Sequence, residues 1–208
     1  MPKKTDLTKF RTSSLKDVTE LRNRFKALVA GQPAPSVDDL RWFTYMTAVE
    51  LHAIWERYAE GRLVVALNHS PAHFLAQNSV KGVKKVPAGL AEYVVRGGSK
   101  YFNFRSIDDL NDKANKLLSS AHNPFAPLTK VHKDHLDSLA SVRNLIVHKS
   151  DAAKSSYKTN LGKVFGFKSA PSPGEFLDSI DHRTSSPCRG QQRIWTFFHY
   201  VKDAINKS

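Results

Sequence analysis

The chain has 208 residues, 40% of them hydrophobic and 25% charged, enough for one globular domain that buries roughly 70% of the surface its unfolded form would expose. No apolar run reaches the length of a membrane span, nothing apolar follows the charged start Met1-Pro2-Lys3-Lys4-Thr5, and a lone Cys188 excludes an internal disulfide, so a cytoplasmic protein with no membrane partner is expected. Thirty-two Lys and Arg against 19 Asp and Glu leave a net charge of +13, which favours nucleic acid as the partner because neutralised phosphates release their counterions.

Residues 1–12 are polar and basic and read as a flexible N-terminus ahead of a single helical domain over 13–208. Ser14 with Asp17 reads as a capping box, after which Leu15, Val18, Leu21, Phe25, Leu28 and Val29 recur at helical spacing until Gly31. Pro33 and Pro35 form a connector. Ser36 with Asp39 then caps a second helix that carries Leu40, Phe43, Met46, Val49, Ala53 and Ile54 and continues through Leu63 to about Ala66.

Ser70-Pro71 opens a short piece to Asn78, and a basic loop holds Lys81, Lys84 and Lys85. A short helix over Pro87–Val95 stops at Gly97-Gly98, Tyr101–Phe104 reads as extended, and Ser106 with Asp109 caps a helix to about Leu118. From Lys130 the pattern Val131, Leu136, Leu139, Ala140, Val142, Ile146 and Val147 builds a helix that ends near His148. Residues 149–190, rich in Pro and Gly, read as loop, and a last amphipathic helix covers about 191–206. The expected fold is an all-α bundle of four main helices, near 14–30, 37–66, 130–148 and 191–206, with short helices inserted between the second and third.

The end of the third main helix reads Arg143-Asn144-Leu145-Ile146-Val147-His148. Arginine binds phosphate oxygens bidentately and stays charged, and histidine gives and takes protons near neutrality, so the pair points to chemistry on a phosphodiester. Similar spacings recur at Arg62 with His69 and at Arg193 with His199, but only Arg143 has a polar neighbour and a following break at Ser150-Asp151. Beyond it run Lys149, Lys154, Lys158, Lys163 and Lys168, with Tyr157, Phe165 and Phe167 interleaved. That pattern fits a backbone track with stacking platforms for single-stranded RNA, or a solvated loop whose aromatics anchor it to the core. The pairs His69 with His73 and His132 with His135 lack a cysteine or acid at zinc spacing, so no metal and no cofactor is expected, and Cys188 has no base pattern beside it.

A helical bundle with Arg-Asn-(three residues)-His at the end of its third main helix resembles the HEPN superfamily of prokaryotic ribonucleases. Trp55-Glu56-Arg57-Tyr58 within Leu51–Val65 is similar to the apolar second helix with one acidic residue found in the RiboL-PSP-HEPN type. The likeness covers about half the chain, from Val37 to Val65 and from Lys130 to about Tyr157. It implies a metal-independent endoribonuclease in which the motif helices of a homodimer meet across a twofold axis. It also implies that Arg143, His148, Asn144 and Glu56 form the catalytic set, with Glu50 the alternative to Glu56. By family association the protein is a toxin or antiviral defence effector with an antitoxin or regulatory partner. Two other readings stand beside it: a non-catalytic RNA-binding or protein-interaction module, and a basic scaffold that recruits a partner protein.

Overall fold

The first helix begins earlier than its polar sequence indicates. In the computed structural model, which describes residues 6–208, α1 spans Leu7–Val29 and is capped by Asp6, whose side chain accepts from the Thr8 and Lys9 amides at 3.0 and 3.2 Å. Residues 7–12, expected to be flexible, are therefore helical, and residues 1–5 of that segment lie outside the described residues. Ser14 is no cap: it is buried inside α1, its hydroxyl donating to the Phe10 carbonyl at 3.3 Å. Phe10 supplies the reason, because its ring stacks on Tyr58 with centroids 5.6 Å apart and ties the first turns to the next helix.

The 33-residue α2, Val37–His69, carries the expected capping box between Ser36 and Asp39 and runs one turn past Ala66. It would extend about 50 Å. α1 packs along it, and Gly61 permits the closest approach: a side chain there would run into the Phe10 ring. Three short helices follow, α3 (Ala72–Gln77), α4 (Ala88–Val95) and α5 (Ile107–Leu117), the last capped by Ser106 as the sequence indicates. α4 stops at Gly97 and Gly98, both left-handed, with φ of 61° and 75°.

α6 spans Lys130–His148, and its C-cap Lys149 takes the left-handed conformation at φ 53°, ψ 16°. That residue turns the chain straight into a helix the sequence reading missed. Residues 149–190 are not mainly loop: α7 covers Asp151–Phe165, capped by Ser150 and ended by left-handed Gly166, and α8 covers Pro173–Asp178. Only Ala153, Tyr157 and Leu161 form the buried stripe of α7, every fourth residue in an otherwise polar run, and Gly162 lies inside the helix rather than breaking it. The bundle thus has five long helices, α1, α2, α6, α7 and α9 (Arg193–Lys207), instead of four.

The described residues form an all-α fold of nine helices with no strand, and none of these helices is long and apolar enough to cross a membrane. The core joins Leu51, Trp55, Tyr58 and Leu63 of α2 to Leu136, Leu139 and Val142 of α6, with Phe176 of α8 and Phe197, Val201 and Ile205 of α9 closing it.

Candidate active site

Residues five apart on a helix are rotated by about 140°, so Arg143 and His148 start on different faces of α6. The arginine bridges the gap. Its Nη1 donates to Asn144 Oδ1 at 2.8 Å and to His148 Nε2 at 3.4 Å, an arrangement that needs the Nε2 lone pair free and the imidazole proton on Nδ1. His148 is the last residue of α6, exposed at the corner where Lys149 redirects the chain.

Arg143 makes no ion pair among the described residues, because the acids nearest in sequence are engaged elsewhere. Asp134 is held by Lys130 at 2.6 Å and Lys163 at 2.8 Å, Asp151 by Lys154 at 3.0 Å, and Asp137 accepts the Ile107 amide at 2.8 Å. A guanidinium whose direct hydrogen-bond partners are neutral keeps donors for a phosphate.

A cleft of about 270 Å³ opens between α2, residues 103–107 and α6, lined by His52, Glu56, Arg105, Asp137, Arg143 and Asn144 among others. Of the two candidate acids on α2, Glu56 is the one in this cleft; Glu50 pairs with Arg57 at 2.9 Å on the surface. Burial pushes the Glu56 carboxyl up, but His52, Arg143 and Arg57 outweigh it and hold the group below the ordinary glutamate value, so it is ionised. His52 Nδ1 faces Glu56 Oε2 at 3.3 Å, and Trp55 Nε1 on the same wall is buried without a partner.

His52, Asp137 and Arg105 are cleft residues that sequence reasoning did not single out. His52 stands four before Glu56 on one helix, a spacing that was readable. Asp137 and Arg105 come together only in the fold, where the Asp137 carboxylate holds the amide of the first residue of α5.

Burial pushes Asp137 up to about 6, with Asp108 adding to the effect and the Ile107 amide opposing it. Folding therefore favours the protonated acid, and its cost is fully present above pH 6 and fades as pH falls towards the unfolded value near 3.8. Asp137→Asn keeps an acceptor for Ile107 and removes the charge. Its Tm is expected to exceed the parent's at pH 7.5 by roughly 2–4 °C per kcal/mol gained, and the gap should shrink towards pH 4. A gap that stays constant across that range in calorimetry contradicts this account.

The lysine-rich stretch lies on the α6–α7 corner. Lys149, Lys154 and Lys158 are exposed, Lys154 being paired with Asp151. Tyr157, expected to stack on RNA, is 2% exposed and donates its hydroxyl to the Pro171 carbonyl at 3.0 Å; burial pushes that hydroxyl well above the usual tyrosine value. It is a core residue. Phe165 and Phe167 likewise pack edge-on against Phe176, at 4.8 and 5.9 Å. Helical periodicity turns Tyr157 inward, and Phe165 and Phe167 pack on the core at and just past the end of α7, so the aromatics of this stretch offer no stacking platform.

The other arginines of similar spacing serve the fold. Arg193 bonds Ser179 and lies 5.1 Å from the Phe167 ring, and Arg62 donates to the Ser208 carbonyl at 3.2 Å. Among the described residues no three His, Cys, Asp or Glu side chains gather as a metal site, and burial pushes the Cys188 thiol up, away from thiolate. The chain matches no family model, no curated protein and no solved structure.

Proposed function

We propose that this protein is a metal-independent endoribonuclease of the HEPN type, acting as a homodimer in the cytoplasm as a toxin or defence effector under the control of a partner protein. The observation that carries the reading is the arginine itself: Arg143 lines the cleft opposite Glu56 without a direct ion pair, leans on Asn144 and reaches out of the cleft to the imidazole of the exposed His148.

In this reading Arg143 binds the scissile phosphate and stabilises the charge that builds on it in the transition state. One His148 takes the proton of the RNA 2′-hydroxyl, whose oxygen attacks phosphorus; a second returns a proton to the departing 5′-oxygen. The products are a 2′,3′-cyclic phosphate and a 5′-hydroxyl. A single imidazole cannot stand on both sides of the phosphorus in one turnover, so two chains are required. Asn144 orients the guanidinium, and the ionised Glu56 holds Arg143 electrostatically from across the cleft.

The test is incubation of labelled RNA with the purified protein in excess chelator, with the product ends identified. Cleavage with a cyclic phosphate end is expected, and a substrate with a 2′-deoxy sugar at the scissile position should resist. Efficient cutting of that substrate would sink the mechanism. Tight binding with no cleavage by the parent protein favours the non-catalytic RNA-binding module instead.

A further inference from the structure

Between the Gly97-Gly98 turn and Ser106, the cap of α5, the chain forms a strap whose exposure alternates. Tyr101, Asn103 and Arg105 are exposed, while Phe102 and Phe104 pack on the core with ring centroids 5.7 Å apart. Alternation of this kind sets outward side chains at every second position along one side of the strap. Asn103 and Arg105 also line the cleft that holds Arg143 and Asn144. The row therefore starts on open surface at Tyr101 and ends inside the candidate site.

Tyr101 is 72% exposed, with the Lys100 ammonium 5.3 Å from its ring centre. Tyr93, 63% exposed, stands over the same turn, its hydroxyl 3.2 Å from where a Cβ on Gly98 would lie. Neither ring stacks on another aromatic among the described residues, and Arg105 makes no ion pair among them. Residues 79–105 carry Lys81, Lys84, Lys85, Arg96, Lys100 and Arg105 against one acid, Glu92, which Arg96 takes up at 2.7 Å. Single exposed aromatics are ordinary. Two exposed rings with no aromatic neighbour, in an almost purely cationic segment that leads into a cleft, are a different matter.

We propose that this strap is the entry arm for single-stranded RNA: a base stacks on Tyr101, and the backbone phosphates follow Lys100 and Arg105 towards Arg143. The inference rests on the reading of the Arg143 cleft as an RNA site. It gives the stacking role to rings the fold leaves open, in place of Tyr157, Phe165 and Phe167. Stacking needs an unpaired base, since the faces of bases in a duplex are covered by their neighbours. At the inner end of the path, the Trp55 Nε1 donor, buried without a partner, suits the acceptor edge of a base that has been drawn in.

The experiment uses the full chain carrying His148→Ala, so that RNA is not consumed, and reads the fluorescence anisotropy of a labelled unstructured oligoribonucleotide and of a duplex of the same length. Adding Tyr101→Ala should weaken single-strand binding about tenfold and duplex binding much less. Adding Arg105→Gln should weaken both and flatten the salt dependence by about one phosphate contact. Both side chains are exposed, so the melting temperature should not move. Single-strand affinity that survives both substitutions overturns the proposal, as does equal loss on the duplex from Tyr101→Ala or absence of single-strand binding before either is added. Binding that depends on Tyr101, found with a parent protein that cuts nothing, supports the arm while removing the nuclease reading.

Discussion

Replacing His148 with alanine is expected to lower RNA cleavage by about 10³-fold or more, with RNA affinity nearly unchanged. Positioned acid–base catalysis contributes about 10²–10⁴-fold, and in a composite site one substitution removes both the base and the acid. His148 is exposed at the end of α6 and, among the described residues, its side chain makes one hydrogen bond, the long 3.4 Å approach of Arg143, so its loss should not disturb the fold. Arg143→Ala should lower cleavage by a comparable factor but also weaken binding, because in the proposed mechanism the guanidinium meets the phosphate in the ground state as well. The proposed dimer carries a sharper signature. Parent protein mixed with excess His148→Ala and allowed to exchange subunits should lose more activity than dilution explains, since each mixed dimer holds one histidine. Loss in simple proportion to dilution would mean that one chain suffices.

Asp181→Ala is expected to destabilise the protein by about 3–5 kcal/mol, the cost of stranding a buried ionic partner, measured by urea unfolding at pH 7. Asp181 is fully buried and accepts from the Arg183 Nε and Nη2 at 2.9 and 2.7 Å, from the Arg183 amide at 3.2 Å and from Thr196 at 3.2 Å. Burial pushes its carboxyl up, and these donors overcome that and hold it far below the usual aspartate value. Without the carboxylate, Arg183 would remain packed 4.2 Å over the Phe165 ring beside His135, which burial holds at about 4 and therefore neutral. Asp134 lines the same pocket, but Lys130 and Lys163 already hold it at 2.6 and 2.8 Å. Arg183 is only 24% exposed, and water reaches it poorly. A loss under about 1 kcal/mol would show that the guanidinium finds solvent after all.

Helices with a strong cap and a wide apolar stripe were legible in the sequence: Ser36 with Asp39 opens α2, Ser106 opens α5, and α6 ends at His148 as expected. α7 was not, because three buried residues in fifteen give too narrow a stripe and its glycines imitate breakers. The start of α1 escaped for a related reason. Its anchor is one residue, Phe10, whose partner Tyr58 lies 48 positions away, and no local pattern reports such a contact.

The site divides the same way. Arg143, Asn144 and His148 share one helix and could be read from spacing, and Glu56 could be placed by its helix. The contributions of Asp137 and Arg105 depend on where α5 docks, which only tertiary packing decides. The lysines following His148 were legible as charge; the direction of the rings among them was not.

The 2.8 Å bond from the Ile107 amide to Asp137 fastens the beginning of α5 to the helix that carries Arg143. The cleft can gape only if that bond breaks, which makes one amide proton a reporter on the whole opening. Its exchange with solvent deuterium measures how often α5 and α6 part, and a ligand that bridges them should slow that exchange even when it touches neither Ile107 nor Asp137.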